Sequence, residues 1–114
     1  MISGIHAVLF ASDAQRARAF FADVLGLDSV DAGGGWLIFA LPPAELAVHP
    51  AEQGGRHELY LMCEDLNATL SQLGDKGIDA GPITEEDWGL VSHVQVPGLG
   101  ELGIYQPRHA SPLP

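Results

Sequence analysis

Cysteine is nearly absent from this 114-residue chain: Cys63 is the only one. A single thiol allows no internal disulfide, and such sparse usage fits a reducing compartment. Basic residues are scarce too. Five Lys and Arg stand against fifteen Asp and Glu, for a net charge of −10. That surface repels nucleic acid and anionic membranes, and it favours a neutral or cationic ligand. No apolar run reaches the length of a membrane span. The start, Met1-Ile2-Ser3-Gly4, holds no basic residue, so it lacks the charged opening of a signal peptide. Together these absences make a cytoplasmic protein the expectation.

Apolar residues make up 46% and charged residues 18% of the chain. That is enough apolar material for one domain with its own core. Ile5 to Ala11 is apolar almost throughout and reads as a buried strand. Ser12 or Asp13 then caps a helix, in which Ala17, Phe20, Phe21, Val24 and Leu25 recur at helical spacing. Gly26 ends that helix. Leu27 to Ala32 is a weak strand, Gly33-Gly34-Gly35 a turn, and Trp36 to Leu41 a strong strand broken by Pro42-Pro43. Residues 45–49 form a short strand closed by Pro50.

The second half repeats this order. Glu58 to Cys63 reads as a strand, and Asp65 caps a helix with Leu66, Leu70 and Leu73 on one face. Strands follow over Pro82 to Glu86, Leu90 to Val96 and Glu101 to Tyr105. Both Asp65 after Asp13 and Glu58 after His6 lie 52 positions on, and Glu101 follows Glu45 by 56. The shared element order and the matching closing words indicate an internal duplication. Unit one spans about residues 4–50, a linker 51–56, unit two about 57–107, and an irregular tail 108–114.

Alternation along the strands sorts side chains onto two faces. Leu59, Leu61 and Cys63 belong against the helix, as do Leu37, Phe39, Leu41, Leu46 and Val48. The other face then takes His6, Val8 and Phe10; Trp36, Ile38 and Ala40; Ala47 and His49; Glu58, Tyr60 and Met62; and Gly103 and Tyr105. Two such faces enclose a cavity.

The order of these words resembles the vicinal oxygen chelate superfamily of glyoxalase I, bleomycin-resistance proteins and extradiol dioxygenases. The matching stretches are His6 through Leu27, Glu64-Asp65-Leu66, Asp87-Trp88-Gly89 and Leu102 to Pro107. The resemblance covers nearly the whole chain. It implies an α+β fold of two tandem βαβββ units, forming a cupped, barrel-like mixed β-sheet, commonly in a homodimer. Metal-dependent relatives draw ligands from the first and fourth strands of each unit. Here those positions are His6, Glu58, Ala47 and Gly103, and the last two carry no ligand atom.

Two readings follow. In the first, no cofactor is bound, and a neutral or cationic small molecule sits in the cavity against Phe10, Trp36, Ile38, Ala47, His49, Tyr60, Met62, Gly103 and Tyr105. Glu58 there pairs with His6 and orients a polar group of the ligand. In the alternative, a divalent metal (Zn, Ni, Fe or Mn) is held by His6, Glu58 and His49 in a lyase, isomerase or dioxygenase. A third possibility gives Glu58 and His6 metal-free acid–base work as catalytic residues. Glu85-Glu86-Asp87-Trp88 reads as a solvated loop with Trp88 tucked in. His93 and His109 have no partner by spacing and receive no role. Cys63 faces the core, so nucleophilic catalysis has no support.

Overall fold

The computed structural model describes residues 6–47, 49–50, 52–54 and 57–113. Helix α1 (Ala14–Ala19) runs directly into a π-helical turn over Phe20–Val24. Strands β1 (Ser29–Asp31) and β2 (Leu37–Phe39) follow, then β3 (Tyr60–Met62), helix α2 (Leu66–Asp75), β4 (Thr84–Glu86), β5 (Gly89–Val96) and β6 (Gly100–Pro107). The fold is α+β. Strands β1 and β2 pair antiparallel, and a mixed sheet has the order β3-β6-β5-β4, with β3 parallel to β6. Among the described residues the sheets do not close into a barrel.

The duplication is visible in the helix caps. The Asp13 carboxylate accepts a hydrogen bond from the Arg16 amide at 3.1 Å, and Asp65 accepts from Ala68 at 3.0 Å. Each satisfies an amide that the helix start leaves unpaired. The two helices then differ by one residue, since Gly26 lies 13 positions after Asp13 but Gly77 only 12 after Asp65. The π turn absorbs the extra residue. The Leu25 amide reaches back five positions to the Phe20 carbonyl at 3.1 Å, the widened spacing of a π-helix. Lys76 Nζ donates to the Val24 carbonyl at 3.1 Å and ties the two helix ends together.

Both helices lie over one core. Ala17 and Phe20 of the first join Leu66 and Leu73 of α2, Ile78, Val94 and Val96, and Leu102 and Ile104 of β6. The expected helix-facing residues Leu59, Leu61 and Cys63 pack against this cluster, as does Phe21, whose ring meets Phe39 at 5.8 Å. One buried hydroxyl, Ser92, donates to the Gly81 carbonyl at 2.9 Å.

Unit one departs from the expected pattern. Residues 6–11 and the described part of 45–49 belong to no ladder; Ile5 and Val48 lie outside the described residues. Phe10 is 92% exposed and Leu46 90%, so Leu46 does not join the core, and Leu41 is also exposed. The turn chemistry explains this. In unit two, Val96-Pro97-Gly98-Leu99 is a tight turn in which Gly98 takes φ +80° and the Leu99 amide donates to the Val96 carbonyl. Proline then glycine is the pair such a turn requires. That turn sets the β5–β6 register. By the repeat spacing, Pro42 stands where Gly98 does. Proline has no amide and cannot take positive φ, so no equivalent hairpin forms. Gly98 also lets the chain touch the first helix start, with the Asp13 amide donating to its carbonyl at 2.9 Å.

Candidate functional site

The sheet face turned away from the helices carries three rows of side chains. Tyr60, Gly103 and His93 are register neighbours across β3, β6 and β5. Met62, Tyr105 and Val91 form the next row towards one end, and Glu101 pairs with Gln95 on the other side. The central position, Gly103, has no side chain. A Cβ there would overlap the Tyr60 ring. Tyr60 therefore lies across the gap from one strand, while His93 borders it from the other.

A cavity of about 340 Å³ lies beside the Tyr60 ring, at the edge of the core, lined by Leu9, Glu58, Tyr60, His93, Glu101 and Gly103 and by Leu59, Leu99 and Leu102 from the core side. The Tyr60 hydroxyl donates to Glu58 Oε2 at 2.8 Å, and the Gln95 amide donates to Glu101 Oε1 at 3.3 Å. Beside the cavity stands an aromatic wall. Tyr60, Trp88 and Tyr105 make mutual edge-to-face contacts, with centroids 5.3–6.1 Å apart. Edge-to-face packing matches ring edges to the electron-rich faces and holds the wall in shape.

Of the residues expected at the site, Glu58, Tyr60 and Gly103 line the cavity. Tyr105 stands in the wall, and Met62 lies beside it in register. The others are not brought in. Trp36 precedes β2 and stacks under the Arg18 guanidinium, 5.1 Å away, instead of facing the cavity. Ile38, Ala47 and His49 are exposed and absent from the lining, and so are His6 and Phe10. In the first segment it is Leu9 that reaches the cavity; without a ladder, alternation does not set its faces. The expected partner of Glu58 was His6, and the structure gives Tyr60.

His93 and Glu45 were missed. His93 was legible, because Ser92, Val94 and Val96 are core residues and alternation puts His93 opposite them. Glu45 had no such signal. Its carboxylate accepts from the Tyr105 hydroxyl at 3.3 Å and from the Ser111 hydroxyl, contacts that depend on the path of the tail.

Burial, and next the neighbouring Glu45 charge, push the Tyr105 phenol above the ordinary tyrosine range. A raised acid favours its neutral form in the folded state. Its contribution to stability is thus whole below the unfolded value of about 10 and is lost as pH rises through the folded value. In a Tyr60→Phe background, phenolate absorbance should place the Tyr105 midpoint above that of free tyrosine, and Glu45→Gln should lower it. A midpoint unmoved by Glu45→Gln would break the link between the two groups. The Cys63 thiol is also pushed up by burial, which leaves it protonated and a weak nucleophile.

Gly103 and Ala47 offer no ligand atom, and the Tyr60 ring fills the space where a side chain at 103 would stand. Among the described residues, no three His, Cys, Asp or Glu side chains are grouped to hold an ion. Among them, too, no helix is long and apolar enough to cross a membrane.

No protein-family model matches the chain, and no curated protein does. Solved structures do. An antibiotic binding protein from Streptomyces sp. CB03234 superposes with a TM-score of 0.63 at 23% identity, over 94% of this chain and 99% of that one. A glyoxylase/bleomycin resistance protein/dioxygenase domain from Frankia sp. EAN1pec gives 0.65 at 16% identity, over 97% and 96%. A lactoylglutathione lyase from Agrobacterium tumefaciens gives 0.64 at 16% identity, over 92% and 94%. The chain has the glyoxalase/bleomycin-resistance fold, the fold of the vicinal oxygen chelate superfamily.

Proposed function

We propose that this protein binds a neutral or cationic small molecule, without a metal, on the face built around Gly103. The observation that carries this is the row Tyr60, Gly103, His93: the Tyr60 ring lies over the bare Gly103, and this ring and the His93 imidazole line one cavity. Apolar walls with a few convergent polar groups suit small-molecule recognition. The Trp88 and Tyr105 rings offer flat apolar surface, and electron-rich faces attract a cation. Glu58 and Glu101 add negative potential, reinforced by a net charge of −10. The likeness to an antibiotic binding protein supports a binder reading.

The alternative, a metal-dependent lyase, isomerase or dioxygenase, draws support from the fold shared with a lactoylglutathione lyase. The donor set speaks against it. We further propose that the protein works as a homodimer, in which the exposed apolar side chains Val8, Phe10 and Leu46 are covered by the second copy.

Native mass spectrometry of protein purified without chelator tests both. The expected species has twice the 12.1 kDa chain mass, carries an organic adduct and holds no transition metal. Glu58→Gln should then weaken retention of a cationic ligand about tenfold, as for the loss of a charged hydrogen-bond acceptor. A near-stoichiometric metal that disappears in His6→Ala would sink the binder reading.

A further inference from the structure

The aromatic wall has an end that the tail covers. The Arg108 amide donates to the Trp88 carbonyl at 2.9 Å, and its guanidinium pairs with Glu85 in β4. His109 lies on Tyr105, ring centroids 6.0 Å apart and tilted by 33°, with Nε2 3.2 Å from the Tyr105 hydroxyl. Further along, the Ser111 hydroxyl donates to Glu45, and its oxygen accepts the Leu113 amide at 3.1 Å. Glu45 is the meeting point. It belongs to a unit-one segment with no ladder, its side chain is only 14% exposed, and it takes hydrogen bonds from Tyr105 and Ser111 while lying 3.9 Å from His109.

We propose that residues 108–113 form a strap that shuts the Trp88–Tyr105 end of the wall, with Glu45 as its latch. The strap is held by a few polar contacts and by the His109–Tyr105 ring contact, and it contributes no residue to the core. Such contacts are individually weak in water. The strap therefore opens at far lower cost than the sheet beneath it, by the local opening that governs access to binding sites. Opening frees the Trp88 carbonyl and bares the His109-covered face of Tyr105, the ring that Trp88 packs against at 5.3 Å. Latching also holds residues 41–47 against unit two, which explains how a segment lacking strand pairing keeps its place. The consequence for ligand access rests on the function proposed above; the strap itself does not, and it is tested without ligand.

In a Trp36→Phe background, Trp88 is the only tryptophan left. Replacing both His109 and Ser111 by alanine should raise the acrylamide quenching constant of Trp88 about twofold and speed exchange of the Arg108 amide, whose own acceptor is untouched, about tenfold. Glu45→Ala should do the same from the opposite side of the latch. Unchanged quenching and exchange in the folded double variant would overturn the proposal. So would faster exchange spreading equally through β5 and β6, since the tail would then be part of the core. If small-molecule binding proves absent while quenching rises as expected, the strap stands and the functional reading fails.

Discussion

Phe20→Ala should lower the unfolding free energy by about 3–5 kcal/mol, the range for truncating a fully buried phenylalanine. Phe20 is 2% exposed and sits in the same cluster as Val94, Leu102 and Ile104. Its position is special in two ways. It opens the π turn, so it depends on the extra residue that distinguishes the first helix from the second. It also carries a unit-one side chain into a core made mostly of unit-two residues. Phe21 is the natural control, being only half-buried and meeting Phe20 edge-to-face at 5.2 Å. Urea unfolding followed by circular dichroism reads both variants from the shift in midpoint at constant slope. A Phe20→Ala cost no larger than that of Phe21→Ala would mean that the two units do not share a core.

Gly103→Ala should be costly for a different reason, and it should act on the site. The new methyl would overlap the Tyr60 ring. That ring is confined by Trp88 and Tyr105 at 6.1 and 5.8 Å and tethered through its hydroxyl to Glu58. Overpacking of this kind costs about 1–3 kcal/mol, and the ring's displacement removes the shape of the cavity. The cause can be isolated by repeating the substitution in Tyr60→Ala, where the obstruction is gone. A coupling energy of about 1–2 kcal/mol between the two positions is expected, as for side chains in direct contact. Additive costs would show that Tyr60 does not occupy the space at 103. The same geometry explains why a glutamate at 103 would not rebuild a metal site: its side chain would begin inside the Tyr60 ring.

Much of this was legible in advance. The duplication was readable from spacing and element order, because a repeated cap, helix and closing strand leave the same residue types at similar intervals, 52 and then 56 positions. The caps Asp13 and Asp65 were readable because capping is local chemistry. So was the two-sided character of β3 and β6, since a pleated strand turns alternate side chains to opposite faces. That rule placed Tyr60, Gly103 and Tyr105 together, and applied one strand earlier it would have included His93. It failed for Trp36 and Phe10, which lie outside any ladder: alternation holds only while a neighbouring strand keeps the backbone extended and in register.

What the amino-acid order determined, then, is everything carried by contacts near in sequence: helix starts and stops, the unit-two hairpin, the charge, and which side of each strand is apolar. The tertiary structure alone decided who meets whom at long range. Glu45 meets Tyr105 and Ser111 across 60 and 66 positions, and no periodicity encodes such a meeting. Gly103, which offers no ligand atom, is the centre of the site, because a Tyr60 ring from the neighbouring strand lies where a side chain would stand. The presence of a gap is written in one residue, but what fills it depends on register between strands more than forty residues apart.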